Sequence, residues 1–145
     1  MTDSWHLSFE AADMQVDAIH AFLAQSYWAE NISRATVERA IAGSLCVGAF
    51  APAGGQIGFA RVITDRATFA YLADVYVLET HRGRGLAAHM VTALHDHPEL
   101  QGLRRWMLST RDAHSLYSSL GWTALEDSKP FMQRHFPDVY KRADR

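Results

Sequence analysis

An apolar run from Phe69 to Val77 leads, through His81-Arg82-Gly83-Arg84-Gly85, into a stretch where Leu86, Met90, Ala93 and Leu94 recur at helical spacing. This succession of strand, glycine-rich loop and helix constrains the fold more than any other feature. A strand this apolar belongs in the middle of a sheet with both faces covered, and the helix that follows supplies one of the covers. The loop constrains function as well. A helix amino terminus carries unpaired backbone N–H groups and the positive end of the helix dipole. Gly83 and Gly85 let an anion approach those groups and accept positive φ without steric penalty. Arg82 and Arg84 add charge to a loop that needs none for turning. A diphosphate is the natural guest; the alternative is a glycine turn with solvated arginines.

The remaining patterns fit an α/β sheet. Trp5 to Glu10 alternates apolar and polar side chains as a short strand does, and Asp13 opens a helix with Met14, Ala18, Ala21 and Phe22 on one face. Ser33 caps a second helix through Arg34 to Ala42, with Val37, Ala40 and Ile41 inward and Gly43 as its stop. Leu45 to Ala51 and Gln56 to Thr64 form a hairpin around Pro52-Ala53-Gly54-Gly55. The central strand runs from Thr68 to Leu78 and its helix from Leu86 to about His97. Arg104 to Ser109 reads as another strand, Ala113 to Leu120 as a short helix ended by Gly121, and Trp122 to Leu125 as a last strand.

With 145 residues and 48% hydrophobic residues, the chain can bury a core as a single domain, residues 1–145. The one cysteine, Cys46, excludes an intramolecular disulfide and any multi-cysteine zinc site, which suits a reducing cytoplasm. His95 and His97 diverge on a helix, so no metal is expected. A formal net charge of -2 gives no basic footprint for nucleic acid. Met1-Thr2-Asp3-Ser4-Trp5-His6 lacks the basic start and apolar core of a signal peptide, and no later run reaches membrane-spanning length. A cytoplasmic protein without a membrane partner is expected.

Arg82-Gly83-Arg84-Gly85-Leu86-Ala87 resembles the signature of the GNAT superfamily of acyl-CoA-dependent N-acetyltransferases: Arg or Gln, two residues, Gly, one residue, then Gly or Ala. The resemblance extends back through Leu72 to Val77 and forward to Leu116-Tyr117-Ser118-Ser119-Leu120-Gly121-Trp122, and so covers most of the chain. It implies a mixed, mostly antiparallel twisted sheet of about six or seven strands with about four helices, splayed between its central strands. It implies acetyl-CoA as co-substrate and direct transfer to a primary amine of a small molecule or protein. Arg82 to Ala87 would hold the pyrophosphate, and the backbone of Val75, Tyr76 and Val77 would pair with the pantetheine arm. Tyr117 falls where relatives have a tyrosine that donates to the CoA sulfur; a phenol is protonated at neutral pH. Many relatives place an asparagine seven residues before it, where this chain has Thr110.

Several residues keep two readings. Tyr117 is either that donor or a core tyrosine with its hydroxyl hydrogen-bonded. Asp74, the one charge in the central strand, either binds or deprotonates the acceptor amine or pairs with an arginine such as Arg61. His114 either contacts cofactor or acceptor from the face of Tyr117 or is an exposed helical histidine. Tyr27 and Trp28 either wall the acceptor pocket or tuck onto the core, and Arg61 and Tyr71 are further pocket candidates.

Other functions stay in view. Gly83-Arg84-Gly85-Leu86-Ala87-Ala88 also fits a dinucleotide fingerprint, which an NADP-dependent oxidoreductase would use, but Arg104 and Arg105 stand where an acidic residue is expected, and too few βα units remain. A CoA-binding sensor without turnover is a third reading. The open sheet and the segment Phe131 to Tyr140 could pair with a second copy as a homodimer.

Overall fold

The computed structural model describes residues 4–142, so the reading of Met1, Thr2 and Asp3 lies outside the described residues. Five strands follow one another across a single sheet: β1 (His6–Ser8), β2 (Leu45–Phe50), β3 (Gln56–Thr64), β4 (Phe69–Val77) and β5 (Arg105–Met107). The first four pair antiparallel, and β5 joins β4 in parallel. Four α-helices cover it: α1 (Val16–Leu23), α2 (Arg34–Ala42), α3 (Leu86–His95) and α4 (His114–Ser119).

The strand expected over Trp122 to Leu125 does not form. Among the described residues the sheet therefore has five strands rather than six or seven. Trp122 is instead drawn into an aromatic cluster, its Nε1–H donating to His95 Nε2 at 3.1 Å, and the chain beyond it carries exposed side chains. The first helix also begins later than expected. Ala11–Asp13 is a 3-10 turn, α1 starts at Val16, and its buried residues are Ile19 and Leu23 while Ala21 faces outward.

The core lies on both sides of the sheet. Leu45, Val47 and Ala49 of β2 and Val62 of β3 pack with Leu86, Met90, Val91 and Leu94 of α3. Cys46 and Phe59 pack on the other side with Ile19 and Leu23 of α1 and Val37 and Ile41 of α2. That alternation along β2 is the period-two pattern of a strand buried on both faces. Ser33 caps α2 as expected, its hydroxyl accepting from the Thr36 N–H at 3.1 Å.

Two irregularities open the central strand. The register steps from Phe59↔Tyr76 to Arg61↔Ala73, so Asp74 and Val75 together face the single residue Ala60. This β-bulge has Asp74 at φ 57°, a left-handed conformation that Asp tolerates better than most side chains. On the other edge, β5 pairs only with Phe69, Ala70 and Tyr71. Beyond Tyr71, no strand among the described residues lies on that side of β4, which is the expected splay.

Candidate active site

The open edge of β4 ends at the glycine loop. Gly83 and Gly85 have φ of 83° and 76°, and Gly85 is the residue immediately before α3. A Cβ at Gly83 would meet nothing within 4 Å, so the loop is glycine-rich for conformation and access rather than for packing. Leu86 points its side chain into the core at 2% exposure, leaving its N–H at the helix start with no partner in its own helix. Arg82 is tied back, its Nε donating to Val77 O at 2.9 Å, and Arg84 contacts His81 Nδ1.

Beside the same edge lies a cavity of about 510 Å³. Tyr27, Trp28, Arg61, Tyr71, Asp74, Val75, Thr110 and Tyr117 all line it, which brings together every expected acceptor and catalytic residue. A second cavity of about 480 Å³ shares Leu108, Ser109, Thr110 and Tyr117 with the first and adds His114 and Trp122. Tyr117 stands where the two meet. It is 8% exposed, burial and the neighbouring Tyr27 raise the pKa of its phenol, and no hydrogen bond within the described residues takes up its hydroxyl. A core tyrosine would have its hydroxyl paired; this one keeps it for the cleft.

Asp74 has both carboxylate oxygens engaged. Arg61 Nε donates to one at 2.6 Å and Trp28 Nε1 to the other at 2.8 Å, with the Arg61 and Asp74 side chains only 17% and 9% exposed. Arg61 also donates to Ser44 Oγ at 3.1 Å. The pairing expected as one of the two readings of Asp74 is formed, and Arg61 is thereby committed to the wall. Trp28 and Tyr27 pack edge to face at 5.1 Å between ring centroids and stay 41% and 51% exposed, lining the cavity rather than tucking into the core.

Thr110 turns its hydroxyl to α4, accepting from the Ala113 N–H at 3.1 Å. His114 is exposed at the start of that helix and lines the second cavity with Tyr117. Among the lining residues that sequence reasoning missed are Arg111, Asp112 and Tyr140. Arg111 adjoins Thr110 and could have been flagged by that adjacency. Tyr140 offered no signal: it reaches the cleft because Asn31 Nδ2, 109 positions away, donates to its carbonyl at 2.6 Å. A larger groove of about 750 Å³, lined by His95, Arg105, Trp106, Trp122 and Phe131, contains none of the expected site residues. Among the described residues no group of three His, Cys, Asp or Glu could hold a metal ion, and no helix is long and apolar enough to cross a membrane. The antiparallel order of the sheet is not the doubly wound arrangement a dinucleotide fold requires.

The chain is similar to known proteins in sequence and fold. The profile of the acetyltransferase (GNAT) domain family matches residues 42–124. A crystal structure from Xanthomonas campestris pv. campestris, named as an inferred acetyltransferase of the GNAT family, is 45% identical and superposes with a TM-score of 0.92 over 97% of this chain and 99% of that one. An inferred acetyltransferase of Gibberella zeae is 34% identical over 133 residues, covering 77% of this chain and 74% of that protein. The fold is shared at 14% identity by a predicted acetyltransferase from Clostridium acetobutylicum crystallised with acetyl-CoA, with a TM-score of 0.66 over 92% of this chain and 96% of that one. A glycine loop before a covered helix, a central strand open beyond Tyr71 and this likeness in sequence lead to one assignment: the chain belongs to the GNAT acetyltransferase family.

Proposed function

We propose that this protein transfers an acetyl group from acetyl-CoA to a primary amine of a small molecule or protein, by direct attack and without an acyl-enzyme. The observation that carries the reading is the unpaired hydroxyl of Tyr117 at the junction of two cavities, beside the open edge of β4.

The residues present fit the co-substrate. The N–H groups at Gly83 to Ala87 suit a pyrophosphate, with Arg82 and Arg84 adding charge. The strand edge at Val75, Tyr76 and Val77, where Arg82 already takes the Val77 carbonyl, offers backbone partners to an amide-bearing arm, and Thr110 and His114 flank it from the other side of the cleft. Bound there, acetyl-CoA supplies an activated acyl carbon and a thiolate leaving group. The amine nitrogen bonds to that carbon as the C–S bond breaks. Tyr117 gives its hydroxyl proton to the departing sulfur, and the proton shed by the amine returns to the phenolate through water, so the proton count closes. Tyr27, Trp28 and Tyr71 wall the acceptor. Asp74 and Arg61 act as positioning residues, holding Trp28 and the bulged strand in place.

The test is thermal denaturation with acetyl-CoA and, separately, NADPH, followed by thiol release with a panel of amines. A ligand at about a hundred times its Kd stabilises by about 2.7 kcal/mol, which raises Tm by roughly 5 to 10 °C for a chain of this size. Stabilisation by acetyl-CoA and amine-dependent thiol release are expected; stabilisation by NADPH alone, or by neither, refutes the reading. The homodimer expected from Phe131 to Tyr140 is a separate proposal, checked by sedimentation: a single monomeric species at high concentration refutes it.

A further inference from the structure

Arg111 is unlike the other arginine of the acceptor cleft. Arg61 is consumed by Asp74 and Ser44. Arg111 is exposed and lines the cavity, and among the described residues no carboxylate forms an ion pair with it and no acceptor takes a hydrogen bond from it. Its guanidinium carbon stands 3.7 Å from the centroid of the Tyr27 ring, a stacking distance that occupies one face of the guanidinium and leaves the in-plane N–H fork to other partners. Tyr27 is itself braced by Trp28, which is bonded to Asp74. A long, flexible side chain is thus held in one place with its donors unspent, as anion recognition requires. The one other carboxylate of the cleft besides Asp74 is Asp112, which is exposed and makes no ion pair with Arg111. Asp74, the carboxylate buried in the wall, has no oxygen to spare for a cationic acceptor, which leaves Asp112 as the single uncommitted carboxylate of the cleft among the described residues.

We propose that Arg111 binds an acidic oxyanion, a carboxylate or a phosphate, on the amine acceptor, so that the enzyme acts on anionic amines in preference to neutral or polycationic ones. This rests on the acetyltransferase reading above.

The test compares kcat/KM, from acetyl-CoA-dependent thiol release with the product mass confirmed, for L-phenylalanine, its amide and phenethylamine, and for phosphoethanolamine and ethanolamine. Wild type, Arg111→Ala and Arg111→Lys are run side by side. Amine basicities differ within each set, so the informative quantity is the preference of wild type divided by that of the variant, from which intrinsic reactivity cancels. Wild type should favour an anionic member, and whether the carboxylate or the phosphate gains more identifies the group. Arg111→Ala should lower that preference by tenfold or more, chiefly through KM, as expected for a lost charge-assisted pair, and Arg111→Lys should restore part of it. Equal preference in wild type, or an unchanged ratio in Arg111→Ala, overturns the proposal and leaves the acetyltransferase reading standing. If no amine is acetylated, that reading fails instead, and the arginine side-chain NMR signals decide the inference: a shift of the Arg111 Nε–H with L-phenylalanine or phosphoethanolamine but not with the amide or ethanolamine sustains it, and no shift ends it.

Discussion

Replacing Asp74 by Asn separates a carboxylate that holds the site from one that performs chemistry. Asn keeps the shape of the side chain, tolerates the φ of 57° at the bulge, and can still accept from Trp28, so the change removes the charge opposite Arg61 and little else. The Arg61 Nε to Asp74 contact is 2.6 Å with side chains 17% and 9% exposed. Hydrogen bonds to charged groups are worth about 1.5 to 3 kcal/mol, and breaking a buried pair costs about 3 to 5 kcal/mol. The residual exposure of Arg61 and its bond to Ser44 place the loss at the lower end, about 2 to 3 kcal/mol, or roughly 4 to 12 °C in Tm for a chain of this length. Asp74→Ala should lose about 1 kcal/mol more, because Ala neither accepts from Trp28 nor suits a left-handed backbone. Adding Arg61→Met to Asp74→Asn should recover part of the loss, with a coupling of about 1 kcal/mol or more in the double-mutant cycle. Chemical denaturation measures all of these. Turnover of Asp74→Asn, measured where it is folded, should fall less than about tenfold, since positioning rather than proton transfer is disturbed. A variant with unchanged Tm and kcat lowered more than about a hundredfold, in the range seen for lost acid–base catalysis, would refute the anchoring role and make Asp74 the base.

Further outcomes follow from other parts of the site and core. Tyr117→Phe should lower kcat about a hundredfold with acetyl-CoA affinity retained, read by steady-state kinetics beside calorimetry; equal losses in both would mean the ring packs and the hydroxyl does nothing. Gly85→Ala places a Cβ at φ 76°, so it should destabilise by about 1 to 2 kcal/mol and weaken acetyl-CoA binding at least tenfold, whereas unchanged affinity would remove the loop from the binding site. Stability should fall with alkalinity: burial pushes the Cys46 thiol from 9.0 up to about 11 and raises the Tyr76 phenol as well. Each raised group holds its proton longer in the folded chain, so stability is complete below the unfolded pKa and is lost as pH rises through the folded one. For Cys46 the window is pH 9 to 11, worth at most about 2 to 3 kcal/mol. Cys46→Ala should flatten that part of the denaturation profile and leave the loss at higher pH; an identical slope would show that the thiol does not titrate there.

What could be read from the sequence was local. The apolar strand of Leu45 to Ala51, the Ser33 cap and the helical spacing after Gly85 each follow from neighbours within a few positions, and the structure forms all three. The strand predicted over Trp122 to Leu125 failed because a local pattern cannot reveal a competing partner: the Trp122 indole finds His95, 27 positions earlier. The same limit applies to the acceptor wall. Asp74 was conspicuous as a charge within an apolar strand, yet its partners Arg61 and Trp28 lie 13 and 46 positions away, and only folding chooses them. Adjacency to Thr110 points to Arg111, but its stacking on Tyr27 and the bond from Asn31 to Tyr140 leave no trace in composition or spacing.

The bulge at Asp74 and the opening of the cleft belong to one arrangement. Parallel pairing between β4 and β5 stops at Tyr71 and Met107. Three residues later the extra residue of the bulge increases the local twist and carries β4 onward to the glycine loop with one edge bare. Continued pairing would have satisfied those backbone groups and closed the gap in which Tyr117 stands. Leaving them without a partner strand weakens the sheet at β4, one strand in from its edge, and a left-handed Asp adds strain. The bonds from Asp74 to Arg61 and Trp28 offset that loss at the bulge itself, and through Trp28 and Tyr27 they reach Arg111. One carboxylate therefore stabilises the open strand, fixes the aromatic wall and sets the place of the unpaired cation. It is also why the charge lies inside the central strand, where burial alone would have selected an apolar side chain.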